Sequence, residues 1–128
     1  MNRLKSRPQF QAVLAGSMIA KTSHFAMHAI SVSGVPDGTA SCLFTPSIWF
    51  GAMVPKRWAK RAVTRNAIKR QIYAVGTSLN QQFPKAAFLV RLRQEFSRTA
   101  FPSASSPALK AAVKVELLEL LQRGLKAR

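Results

Sequence analysis

Residues 55–72 read PKRWAKRAVTRNAIKRQI, a stretch with seven Lys or Arg and no acid. Beneath that charge runs a helical pattern. Ile68, Ile72, Val75 and Leu79 recur at i, i+4, i+7 and i+11, within about 60° of arc on a helix advancing about 100° per residue. The spacing predicts a helix that ends near Leu79, with one narrow apolar face turned to a core.

With Ile68 as the core direction, Arg65 falls near about 60°, Lys69 near about 100°, Asn66 near about 160° and Arg70 near about 200°. One flank is therefore a cationic strip with an amide in it. A solvated helix face normally interleaves Glu with Lys at i, i+4, whereas Arg61, Arg65 and Lys69 are like charges at that spacing, each pair costing a few tenths of a kcal/mol. An anion from another molecule would turn this repulsion into attraction.

The whole chain has the same imbalance: 20 Lys plus Arg against 4 acids, a formal net charge of +16, and no acid between Asp37 and Glu95. That excess implies a polyanionic partner, with nucleic acid first, an anionic membrane surface second and an acidic protein third. Membrane binding fits poorly, because the basic helix lacks a wide exposed apolar face. The longest uncharged run, 38–55, is rich in Thr, Ser and Pro and reads as no membrane span. Arg can fork a phosphate and Asn can hydrogen-bond a 2′-hydroxyl or a base edge, so RNA is the chemically favoured polyanion.

The chain's 128 residues, 48% of them apolar, can fill one core, and a single domain over 1–128 is expected. Ser6 is a candidate N-cap with Pro8 in the first turn; Phe10, Val13 and Leu14 then recur at helical spacing up to Gly16. HFAMHAISV (24–32) reads as a strand, GVPDG (34–38) as a turn, ASCLF (40–44) as a weaker strand and IWFGAMV (48–54) as another. AAFLVRL, from Ala86, is a further apolar strand. After a loop, Ser106 and Pro107 open a last helix with Leu109, Ala112, Val113, Leu117, Leu120 and Leu121 as its stripe. The order α-β-β-β-α-β-α makes an α+β sandwich: a small mixed sheet with helices packed on it. Phe25, Met18, Met27 and Met53 are expected in the core, and Trp58 is expected to seal the start of the basic helix against the sheet.

MNRLKSRPQFQAVLAGSMIA imitates a secretory signal, but Pro8, Gln9 and Gln11 interrupt the apolar run, which fits a short amphipathic helix. The lone Cys42 can form no intramolecular disulfide and has no CxxC partner for zinc, which agrees with a reducing compartment, the cytoplasm. A self-sufficient metal nuclease needs converging carboxylates, and the supply is Asp37, Glu95, Glu116 and Glu119. Glu116 and Glu119, beside Lys114 and Arg123, read as ordinary helix surface. His24 and His28, four apart on a strand, would share a face at about 13 Å, too far for a general acid–base pair. No catalytic residue and no metal ligand is assigned to the chain.

The run RNAIKR at 65–70, preceded by PKR-x-x-KRA and an apolar strand, resembles the Arg-Asn-Arg helix of the bacterial ribonuclease P protein component, whose pattern reads R-N-R-x-K-R. The likeness spans nearly the whole chain: an early helix with a central Phe, SHFAMHAI as a strand, the strand before PKR, and AAFLVRLR after the helix come in family order. Residue by residue, the resemblance implies that Arg65, Asn66, Lys69 and Arg70 contact the catalytic RNA subunit. Lys56 and Arg57, in the strand-to-helix link, with Lys60 and Arg61, would extend that surface. Ala67 departs from the pattern, standing where the family usually has its second Arg.

The resemblance further implies a cleft between the first helix and the sheet that holds the 5′ leader of precursor tRNA. Phe10 matches an aromatic position there, where exposed rings stack on unpaired bases; Leu14 departs from a frequent second aromatic; and His28 would be a half-exposed ring facing the cleft. The family's RNA subunit holds catalytic Mg2+ and cleaves the leader, while the protein screens charge and requires no protein partner. A left-handed strand-helix-strand crossover is also implied, against the general right-handed rule. A ribosomal or other structural RNA-binding protein of similar size and charge is the competing reading.

Overall fold

The computed structural model describes residues 2–31, 47–84, 86–96 and 107–126. Chain order is β1 (Asn2–Arg3), α1 (Arg7–Leu14), β2 (Ser17–Lys21), β3 (Phe25–Ser31), β4 (Trp49–Met53), α2 (Ala62–Ser78), a 3-10 turn (Asn80–Gln82), β5 (Ala86–Leu92) and α3 (Pro107–Lys126). The α+β class and the three expected helices are present. The expected turn at 34–38 and strand at 40–44, with Asp37, Cys42 and Ser106, lie outside the described residues.

Ser6 caps α1 as its sequence suggests. Its hydroxyl accepts from the Gln9 amide at 3.4 Å, while the Gln9 side chain accepts from the backbone N–H of Lys5 and Ser6 at 2.8 and 3.1 Å. Gly16 then lets the chain turn against β3: a Cβ there would stand 2.6 Å from the Ala29 carbonyl oxygen.

The sheet order is β1-β4-β5-β3-β2. β1 and β5 both pair parallel to β4, whereas β3 pairs antiparallel to β5 and to β2. Strand β5 lies in the middle and is buried at six of its seven positions, which is why AAFLVRL lacks the alternation of a half-exposed strand. Arg91 is the half-buried exception.

Two strands were missed in the sequence. β1 is two residues long and has no periodicity to detect, and β2 is an edge strand whose side chains are all exposed or half-buried. As a consequence Met18, expected in the core, stands on that edge at 51% exposure; Met27 is buried and Met53 half-buried.

The faces of the sheet are unequally covered. On one, Phe25, Met27, Phe50, Phe88 and Val90 pack with Ile68, Ile72 and Val75 of α2 and with Leu109, Val113, Leu117, Leu120 and Leu121 of α3. Gly76 lets α2 close on the sheet, since a Cβ there would stand 2.9 Å from the Phe50 ring. On the other face, α1 lays Val13 over Leu4, Ala87 and Leu89, with Phe10, Leu14, Trp49 and Met53 around them. An eight-residue helix is about 12 Å long and about 10 Å wide, while five strands span about 19 Å, so among the described residues α1 covers only part of this face.

Candidate nucleic-acid interface

The link between β4 and α2 presents its basic residues outward because its apolar ones turn in. The Trp58 and Ala59 amides both donate to the Pro55 carbonyl at 3.1 Å, closing a turn. Trp58 packs half-buried against the core, as expected of a seal, and Ala59 is buried. Lys56, Arg57, Lys60 and Arg61 are left exposed, with the Arg57 guanidinium 5.3 Å from the Trp58 ring centre. Arg61 is the N-cap of α2; it makes no side-chain cap bond, and the first turn of the helix has no acid.

Arg65 is turned differently from its neighbours. Its Nη1 donates to the carbonyls of Ala59 at 3.0 Å and Lys60 at 2.8 Å, so this half-buried cation ties the link to the first turns of α2. The other residues of the strip separate onto two sides. Asn66 and Arg70 line a groove between α2 and α3, opposite Lys110. Lys69 lines a groove between α1 and β4 with Arg7, Phe10, Met53 and Pro55. The helix is thus a ridge between two concavities, and Lys69 stands with Phe10 instead of with Asn66 and Arg70.

The α1 side of the sheet contains the other expected site residues. Phe10 is half-buried: it packs on the cluster under α1 and also borders the groove with Lys69. Leu14 packs half-buried in that cluster. His28 was expected as a half-exposed ring, but only 7% of its surface is accessible. It lies opposite Leu89 on the α1 side, where α1 packs over β3 and β5 and the Arg91 side chain covers the ring, and its Nε2 accepts from Arg91 Nε at 2.9 Å. An acceptor Nε2 requires the neutral ring with its proton on Nδ1, and Nδ1 is buried without a partner. Burial first, and the Arg91 charge second, lower the His28 pKa from 6.5. Arg91 lies beside Met53 in the sheet and brings a further cation to the groove side.

A family model for ribonuclease P matches residues 1–116. The ribonuclease P protein component of Burkholderia mallei (strain SAVP1) is 32% identical over 121 residues, covering 94% of this chain and 80% of that one. The chain belongs to the bacterial ribonuclease P protein component family. The Trichormus variabilis ribonuclease P protein component is 34% identical over 96 residues, covering 67% of this chain and 66% of that one. Among solved structures, the Staphylococcus aureus RNase P protein superposes with a TM-score of 0.68 at 19% identity, covering 95% of this chain and 94% of that one. The Thermotoga maritima RNase P protein does so with a TM-score of 0.66 at 19% identity, covering 96% and 97%. Membership of the ribonuclease P family implies a place in a ribonuclease complex and an RNA partner.

One group was misread from sequence. Glu116 is not plain helix surface: its Oε2 accepts from Thr22 Oγ1 at 2.6 Å and from the His24 amide at 2.7 Å, and its Oε1 meets His24 Nδ1 at 2.7 Å. The His24 ring stacks on Phe96 at 3.9 Å between centroids. His24 therefore serves to dock α3, while His28 faces Arg91 on the α1 side, and the two do not share a face. Glu119 is the expected surface pair, with Arg123. Among the described residues no three or more His, Cys, Asp or Glu gather where they could hold a metal ion, and no helix is long and apolar enough to cross a membrane.

Proposed function

We propose that the chain is the RNA-binding protein subunit of ribonuclease P, engaging the catalytic RNA with one flank of α2 and the 5′ leader of precursor tRNA with the other. The reading is supported above all by the ridge arrangement: α2 has Asn66 and Arg70 in one groove and Lys69 in another, with no acid in the lining of either. Two polyanions brought close repel, and a cationic ridge between them lowers that repulsion from both sides at once.

On the α3 side, Asn66 and Arg70, continued by Lys56, Arg57, Lys60 and Arg61, bind the RNA subunit, and Arg65 holds the link in shape for them. On the α1 side, Arg7 and Lys69 take backbone phosphates of the leader, and Phe10 offers its ring for an unpaired base to stack on. His28 acts there by holding Arg91 and does not itself stack on the leader. The RNA subunit holds the Mg2+ that supports hydrolysis of the phosphodiester joining leader and tRNA; this chain's residues bind, orient and screen charge. The work belongs to the cytoplasm, where precursor tRNA is made, and needs neither a membrane nor a second protein.

Reconstitution tests the reading. Purified protein added to its own RNA subunit is expected to restore 5′ cleavage of precursor tRNA at low magnesium, where the RNA alone is slow. Absence of stimulation would overturn the reading and favour a structural RNA-binding role.

A further inference from the structure

Lys110 has no part in the core that its helix forms. It is the fourth residue of α3, exposed, between the buried Leu109 and Val113, and it faces α2 across the groove lined by Val63, Asn66, Ala67, Arg70 and Gln71. Its position is electrostatically unfavourable in the isolated protein. A cation in the first turn of a helix sits at the positive end of the macrodipole, and that turn contains no acid to relieve it. Arg70 contributes a second cation to the same groove. The acids of α3 are engaged elsewhere, Glu116 by Thr22 and His24 and Glu119 by Arg123, and among the described residues neither Lys110 nor Arg70 has an ion-pair partner.

The amides of the groove narrow the chemistry of what would relieve this charge. Asn66 and Gln71 each offer a donor and an acceptor, which matches a ribose 2′-hydroxyl, itself both, better than a carboxylate, which only accepts. The floor is open because Ala67 is short and Val63, at 57% exposure, contributes an apolar shelf against which a ribose can rest.

We propose that the α2–α3 groove clasps one backbone phosphate of the ribonuclease P RNA between Lys110 and Arg70, with Asn66 and Gln71 on the adjoining ribose hydroxyls. This rests on the reading that α2 faces the RNA subunit, and it makes α3 a second wall of that contact. Lys110 then supplies, from another helix, the cation that α2 lacks at Ala67.

The test measures affinity of the full chain for its RNA subunit across a series of salt concentrations. Each lost phosphate contact flattens the plot of log affinity against log salt by about 0.7–0.9. Lys110→Ala is expected to flatten it by that amount, Lys110→Arg to retain the wild-type slope, and Lys110→Ala combined with Ala67→Arg to regain it. Lys126→Ala, about 24 Å farther along α3, is expected to leave the slope unchanged. Thermal melts of each variant establish that the fold persists. If Lys110→Ala and Lys110→Glu both retain the wild-type slope in protein that still stimulates cleavage, the RNA does not enter this groove and the inference falls alone. If the wild-type protein neither binds the RNA nor stimulates cleavage, the inference and the proposed function fall together.

Discussion

Arg65 Nη1 donates to the Lys60 carbonyl at 2.8 Å, so a residue of the basic helix fastens the segment that leads into it. A second bond, to the Ala59 carbonyl at 3.0 Å, comes from the same nitrogen. The motif cation first assigned to RNA is thus partly occupied within the protein, and its two roles separate by substitution.

Arg65→Ala removes a charged donor shared by the carbonyls of buried Ala59 and exposed Lys60, and is expected to lower stability by about 1–2 kcal/mol. Urea unfolding midpoints measure it. Arg65→Lys keeps the charge without the guanidinium whose Nη1 reaches both carbonyls. It should lose most of that stability yet retain the salt dependence of RNA binding; a flattened slope for Arg65→Lys would mean that the guanidinium itself grips a phosphate.

Phe10 and Lys69 border one groove from α1 and α2. Phe10→Leu preserves most of the apolar contact under α1 while removing the ring, and is expected to weaken binding of precursor tRNA by about 1–3 kcal/mol, the range for a base stacked on an aromatic. Lys69→Ala should weaken it too, with a flatter salt slope. Binding of mature tRNA, which has no leader, should be insensitive to both; equal losses on the two RNAs would remove the groove from leader recognition.

The buried neutral His28 makes stability depend on pH in a definite direction. Its folded-state pKa is lowered, so below the ordinary value of 6.5 the unfolded chain binds a proton that the native chain resists. The contribution is complete above that pH and is lost progressively as pH falls through 6.5 toward the folded value. Against His28→Leu, which cannot titrate, wild-type stability should decline between pH 7.5 and 5 by about 1.4 kcal/mol per unit of pKa depression. A pH-independent difference between the two melting curves would show that His28 is not the titrating group.

Much of this was legible in the linear chain where the controlling physics is local. The Ser6 capping box lies within four residues, and the stripe of Ile68, Ile72, Val75 and Leu79 follows from helix periodicity alone. The unbalanced charge of residues 55–72 implied a polyanion without reference to any fold. By contrast, the strip of Arg65, Asn66, Lys69 and Arg70 looked like one surface only because a helical projection contains no neighbours. α1 and α3 flank it on different sides and divide it into two grooves.

The helices, the apolar run of the central strand, the uncompensated charge and the resemblance that names the family are all encoded locally, because each resides in composition or in short-range spacing. The tertiary structure alone decided that Glu116 clamps Thr22, 94 residues away, that Arg91 meets His28 across 63, and that Lys110 faces Arg70. Such encounters depend on strand order and register, which are set by how the whole chain buries its two apolar faces. No local stretch encodes them.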